Sequence, residues 1–261
     1  MTQPKKMNEG IYDQLLRSYA SNQKSLSVLI DPEDYNNEDR LSQFLKILDG
    51  NHLNYIFVGV SLIKEPDIDP CIQFLKSRTE IPLVLFPGNG LYLSEAADAV
   101  LFLSLISGRN PELLIGQHVP VASALKKSNV EVIPTGYMLI DGGRPTSVSY
   151  LSFTNPIPNN KPEIASSTAV AGELLGMQLI YLEAGSGART PVPGPMIQQV
   201  RKAIDIPLIV GGGIDNTEKA INALHAGADM IVVGNKLEQN PGFIKDVSYV
   251  LKKFNESLDI H

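Results

Sequence analysis

The stretch 178-QLIYLEAGSGARTPVPG-194 begins as a core strand and ends as something else. Leu179 to Leu182 form a short, dense apolar run of the kind found in strands buried on both faces, that is, in a parallel sheet covered by helices. Glu183 then puts a carboxylate at the strand's end, and Gly185-Ser186-Gly187 with Pro191, Pro193 and Pro195 turn the chain away. A carboxylate at the C-terminal end of such a strand, with a glycine turn behind it, is either a ligand-reader or a member of a structural ion pair, and its location favours the former.

Seven further runs have the same character: 26-LSVLID-31, 55-YIFVGV-60, 81-IPLVLFP-87, 99-AVLFLSLI-106, 131-EVIPTGYMLI-140, 207-PLIVGGG-213 and 229-DMIVVGN-235. Between them lie helix-period segments at 39–50, 67–78, 112–128, 167–176, 195–204 and 216–227, and 241–258 closes the chain. Asn216-Thr217 opens one helix and Gly227 ends it, and Gly50 and Gly176 sit at other C-termini. Strand–helix alternation repeated eight times predicts a single-domain (β/α)8 TIM barrel over residues 1–261, with a doubly wound open sheet as the alternative. Residues 141–164, rich in Pro, Asn, Gly and Ser, read as a long loop after the fifth strand, over the C-terminal face.

Alternate side chains of a barrel strand point in and out. Ile180, Leu182 and Ala184 form one all-apolar set that suits the helices, which turns Tyr181 and Glu183 inward near the mouth. The seventh and eighth strands also end in glycine, at 211–213 and 234. Together with 185–187 these let backbone N–H groups approach an anion, and they predict a phosphate cup; tight turns needing positive φ are the plainer reading. Across the barrel, parity turns Leu29 and Asp31 inward, and Ser61 with them. A carboxylate, a hydroxyl and water make the sparse oxygen set that Mg²⁺ takes when substrate phosphates complete it, although an Asp before Pro32 also serves as a turn-former.

Composition sets limits. With 43% apolar and 19% charged residues the chain can bury a sizeable core, and a net charge of −6 argues against general nucleic-acid binding. Cys71 is the single cysteine, which excludes an internal disulfide and a thiolate metal site. No signal-peptide core and no membrane-length apolar run is present, so a soluble, cytoplasmic protein is expected. The glycines at 185–187 do not complete a dinucleotide fingerprint, Ser123–Lys126 lacks the companions of a serine–lysine enzyme, and His52, His118, His225 and His261 are scattered.

LIDP in the first strand, VGVS in the second, YLEAGSG in the sixth, VGGGI in the seventh and VVGN in the eighth resemble the geranylgeranylglyceryl phosphate synthase family, together with its bacterial heptaprenylglyceryl phosphate synthase branch. The resemblance spans the chain. It implies a Mg²⁺-dependent prenyltransferase that joins sn-glycerol 1-phosphate to a prenyl diphosphate in ether-lipid biosynthesis. Tyr181, Leu182, Glu183, Ala184, Gly185, Ser186, Gly187, Gly212, Gly213, Gly234 and Asn235 would hold glycerol 1-phosphate, and Asp31 and Ser61 would meet the Mg²⁺. Glu183 would accept the proton of the attacking hydroxyl and Tyr181 would position that end of the substrate. Leu29 stands where some relatives carry a Lys, which leaves the diphosphate to a group such as Lys64 or Arg109. The chain's length and long loop are more similar to the larger synthases, which implies a homo-oligomer, and the lipid product implies transient contact with a membrane surface. Phe86, Leu91, Tyr92 and Phe102 offer material for a prenyl groove. Competing readings are a phosphosugar isomerase or lyase, or a non-catalytic phosphate binder, on the same barrel.

Overall fold

Each of the eight runs supplies one strand: β1 (Ser25–Ile30), β2 (Tyr55–Gly59), β3 (Leu83–Phe86), β4 (Ala99–Leu105), β5 (Glu131–Leu139), β6 (Leu179–Glu183), β7 (Leu208–Gly211) and β8 (Met230–Val233). Every strand pairs in parallel with its predecessor in sequence, and β8 pairs with β1 from Ser25↔Met230 to Val28↔Val233, so the sheet closes into a barrel. This computed structural model describes residues 9–33, 35, 37–59, 68–88, 93–234, 240 and 242–258.

The helices are α1 (Ile11–Ala20), α2 (Glu38–Leu48), α3 (Asp69–Lys76), α4 (Pro111–Leu114), α5 (Val119–Lys127), α6 (Ser147–Leu151), α7 (Pro162–Leu174), α8 (Gly194–Ala203), α9 (Thr217–His225) and α10 (Phe243–Leu258). Three features differ from the sequence reading. The segment expected as one helix over 112–128 is broken into α4, a 3₁₀ turn at Gly116–His118 and α5, with Gly116 and Pro120 at the breaks. The stretch 141–164 is not all loop: Thr146 caps α6 through a capping box with Ser149, Ile157 bridges to Ile140, and α7 already starts at Pro162. Finally, α1 was missed. Its Ile11 and Leu15 enter the barrel interior, and the Tyr12 N–H donates to the Glu131 carboxylate at 3.0 Å. It stoppers the N-terminal end, leaving polar chemistry to the other end.

Two cores result from the alternation. Val28, Ile30, Ile180, Leu182 and Ala184 pack outward among the helices, while Phe57, Leu101, Ile133, Tyr137, Tyr181 and Ile209 fill the barrel. The inward setting of Tyr181 expected from parity is therefore observed. At the N-terminal end, buried Asp229 accepts from Lys24 Nζ (3.1 Å), Arg201 Nη1 (2.7 Å) and the Leu208 N–H (2.9 Å). Such saturation is what makes a buried carboxylate tolerable, and here it ties β1, β7, β8 and α8 together. No helix among the described residues is long and apolar enough to cross a membrane.

Candidate active site

The C-terminal end of the barrel opens into a cavity of about 560 Å³. Its floor is aromatic. The rings of Phe86, Tyr137 and Tyr181 meet at centroid distances of 5.4 Å (Phe86–Tyr181), 5.5 Å (Tyr137–Tyr181) and 5.8 Å (Phe86–Tyr137). Glu183 ends β6 above this floor, in register with Leu139 on one side and Gly211 on the other. Its Oε1 accepts the Gly185 N–H at 2.6 Å.

Glycines are required where the chain passes this carboxylate. Gly212 has φ +80°, and a Cβ there would lie 2.2 Å from Glu183 Oε1 and 2.6 Å from the Gly185 nitrogen. The turns at 185–187 and 212–213 thus wrap the carboxylate and leave their backbone facing the cavity. After β6 and β7 the next helices start only at Gly194 and Thr217. The backbone that faces the cavity after these two strands is therefore that of the glycine turns rather than that of a helix N-terminus.

Burial pushes the Glu183 carboxyl up to about 7, against the Gly185 N–H and the nearby Tyr181 phenol, which both favour its charged form. Burial, and then the charge of Glu183, pushes Tyr181 and Tyr137 well above the ordinary phenol range. Both phenols stay protonated at neutral pH, whereas Glu183 can take up or release a proton there. The buried Tyr181 hydroxyl lies near that carboxylate but makes no well-formed hydrogen bond. A polar group left unpaired in a core costs stability and invites a ligand. Tyr181→Phe is expected to leave the unfolding temperature unchanged or slightly raised while lowering turnover by about tenfold; parallel melting and rate measurements would check the pair of outcomes.

The residues singled out in the sequence converge. Tyr181, Glu183, Gly185, Ser186, Gly187, Gly212, Gly213, Gly234 and Asp31 all line this one cavity. Leu182 and Ala184 do not; their side chains belong to the outer core. Ser61 and Asn235 lie outside the described residues, as do Lys64, Leu91 and Tyr92. Asp31 is the turn-former that one reading gave: its Oδ1 accepts the Glu33 N–H at 3.0 Å in the turn at Pro32, and the residue also forms part of the cavity wall. Arg109 is turned to its own backbone, donating to the Gly108 carbonyl at 2.7 Å.

An apolar arm extends from the aromatic floor along Phe86, Val100 and Phe102 to Leu113, His118 and Val121. Phe86 and Phe102 were foreseen. The other wall, from α4 to α5, was read as ordinary helix; its one signal was the break at Gly116 and Pro120. His118 is buried in that wall, edge-on to Phe102 at 4.3 Å with Nε2 3.4 Å from Ser104 Oγ, and burial lowers its pKa, so the ring is neutral at pH 7. Arg144, also unforeseen, crosses Gly187 and donates to the Ser186 carbonyl at 3.1 Å.

Among the described residues no three His, Cys, Asp or Glu converge on one point, and no Lys or Arg lines the cavity. Asp31 offers oxygen only, the donor that Mg²⁺ prefers when phosphate oxygens and water fill the remaining positions.

The profile of the PcrB family matches residues 20–254. The sequence is 49% identical over 245 residues to geranylgeranylglyceryl phosphate synthase of Spirosoma linguale, covering 94% of this chain and 98% of that protein. It is 50% identical over 242 residues to the protein of the same name from Chitinophaga pinensis, covering 93% and 96%. Among solved structures, (S)-3-O-geranylgeranylglyceryl phosphate synthase from Thermoplasma acidophilum in complex with substrate sn-glycerol-1-phosphate superposes with a TM-score of 0.88 at 30% identity, over 94% of this chain and 100% of that one.

Proposed function

We propose, because this chain belongs to the PcrB family, that its cavity joins sn-glycerol 1-phosphate to a prenyl diphosphate through an ether bond and releases diphosphate. Geranylgeranyl diphosphate is the donor that fits the relatives' names. The observation that carries the reading is the order of parts within one cavity: glycine turns, then Glu183 with its raised pKa, then a long apolar arm. A phosphosugar isomerase has no use for that arm.

In this account the backbone of Gly185–Gly187, Gly212, Gly213 and Gly234 holds the phosphate of glycerol 1-phosphate. The prenyl chain lies along Phe86, Val100, Phe102 and Val121. Mg²⁺, held by Asp31 and the donor's own diphosphate oxygens, would neutralise the leaving group. The glycerol hydroxyl oxygen forms a bond to the allylic carbon as the bond from that carbon to the diphosphate oxygen breaks. The hydroxyl proton passes to Glu183, and the diphosphate leaves with the bonding electrons. Tyr181 holds the hydroxyl end in place, because a reaction of this kind depends on the two reacting atoms being fixed at contact distance.

A carboxylate that titrates near 7 gives this reaction a pH signature. Glu183 must be ionised to accept the proton, so kcat/KM should rise about tenfold per pH unit below 7 and level off above it. A profile flat from pH 5 to pH 8 would contradict the assignment. The function as a whole is tested by incubating the protein with Mg²⁺, glycerol 1-phosphate and donors of increasing length, followed by mass spectrometry. Turnover should be greatest with the geranylgeranyl donor, and absence of ether product with every donor would overturn the reading.

A further inference from the structure

Two layers of chain meet at the glycine turn after β6. Gly185, Ser186 and Gly187 line the cavity, and the segment that follows β5 packs against them. The Gly142 carbonyl accepts the Arg189 N–H at 3.0 Å and the Thr190 N–H at 3.2 Å, and a Cβ on Gly142 would run into the Ala184 carbonyl. Residues 142–146 are thereby laid directly on the turn. Thr146 fills the space that a side chain on Gly185 would need, and the Arg144 guanidinium fills the space beside Gly187.

Arg144 is only lightly engaged there. It uses one of its five N–H donors, from Nη2 to the Ser186 carbonyl at 3.1 Å, and forms no ion pair among the described residues. The cavity wall meanwhile carries three carboxylates, Asp31, Glu183 and Asp215, and no Lys or Arg among the described residues. Lys219, beside Asp215, is committed to that carboxylate at 2.9 Å. A phosphate monoester carries close to two negative charges above pH about 6. A wall of carboxylates repels it unless a cation is brought beside it.

We infer that Arg144 is the cationic anchor of the acceptor: its guanidinium turns from the Ser186 carbonyl to the phosphate on the glycine turn, and so sets the preference for a phosphorylated over an uncharged glycerol. The inference rests on the acceptor site of the prenyl-transfer reading above and adds the side chain that supplies charge to it. A phosphate oxygen accepting from the Gly187 N–H at about 2.9 Å lies within a rotamer change of a guanidinium already packed on Gly187. Arginine stays charged at every working pH. Because Arg144 meets the phosphate and not the reacting hydroxyl, acceptor binding should depend on it and the chemical step should not.

The test pairs calorimetry of the full chain with sn-glycerol 1-phosphate, without donor, with initial rates using Mg²⁺ and geranylgeranyl diphosphate. Arg144→Gln keeps a donor for the Ser186 carbonyl and removes the charge. It should weaken acceptor binding and raise the KM for glycerol 1-phosphate by about tenfold or more, with kcat and the donor's KM within about twofold of the parent. Arg144→Lys keeps the charge and should recover most of the affinity. Arg189→Ala, on the neighbouring strand of the same loop contact, should bind as the parent does. Unchanged acceptor affinity in Arg144→Gln would overturn the anchor, as would equal losses in the Gln and Lys variants or in Arg189→Ala. A change confined to kcat or to the donor's KM would overturn it too, and so would a lower melting temperature accompanying the lost affinity, which would assign Arg144 to holding the turn. A parent protein that binds glycerol 1-phosphate but makes no ether product would overturn the prenyl-transfer reading and leave the anchor to stand or fall by the binding series. A parent protein that binds no glycerol 1-phosphate would overturn both.

Discussion

Glu183→Gln is expected to lower turnover by about 10²-fold or more while the fold survives. The substitution keeps an oxygen to accept the Gly185 N–H, now made at 2.6 Å, and removes the carboxylate proposed to take the proton. It should also stabilise the protein at high pH. Burial raises the folded-state pKa of Glu183 from the ordinary 4.5 to about 7. For such a group the stability it contributes is complete below the unfolded pKa and is lost as pH rises through the folded one. At pH 8 the native state therefore carries an ionised, buried carboxylate at a cost of about 3 kcal/mol. Glutamine does not ionise, so the variant should melt above the parent protein at pH 8, with the gap closing toward pH 5. A variant with normal turnover would remove Glu183 from the chemistry, and a gap independent of pH would contradict its raised pKa.

Gly212→Ala should be the most damaging of the glycine substitutions. A methyl group at this position would be 2.2 Å from Glu183 Oε1, 2.6 Å from the Gly185 nitrogen and 2.8 Å from the Ala184 nitrogen, at a φ of +80°. Two of these neighbours are backbone and cannot swing aside, so the turn must move and carry the Glu183 carboxylate with it. A displacement of about 1 Å at a positioning element costs about 10²-fold, and kcat/KM for glycerol 1-phosphate should fall at least that far. The left-handed backbone adds about 1–3 kcal/mol of destabilisation. Gly234→Ala is the control. Its new methyl would meet the Leu29 carbonyl at an ordinary 3.6 Å, and its φ is not positive. That variant should fold normally and reveal what the proposed close approach of Gly234 to the phosphate is worth by itself.

The barrel was legible because each strand is a dense run of β-branched and leucine residues, and a period of two then settles which side chains face inward. Tyr181 and Glu183 followed from that alternation alone, and the glycine turns from their place at adjacent strand ends. Other features depend on three-dimensional closure. The stopper helix α1 lies outside the strand–helix repeat, and only the barrel's open lower end gives Ile11 and Leu15 a place to go. The pKa of Glu183 depends on how completely its neighbours exclude water, which no spacing encodes. Leu182 and Ala184 travelled with the YLEAGSG motif, yet alternation sends their side chains into the outer core. The α4–α5 wall was hidden because its apolar residues read equally well as one amphipathic helix; only the breaks at Gly116 and Pro120 distinguish a segmented wall from a continuous one.

Phosphorus-31 NMR of one reaction mixture tests the central claim most directly. With the protein, Mg²⁺, sn-glycerol 1-phosphate and geranylgeranyl diphosphate together, the donor's two resonances should give way to free diphosphate. A new phosphomonoester resonance should replace that of glycerol phosphate in equal measure. Release of diphosphate with glycerol 1-phosphate unchanged, or a spectrum that does not change at all, would contradict it.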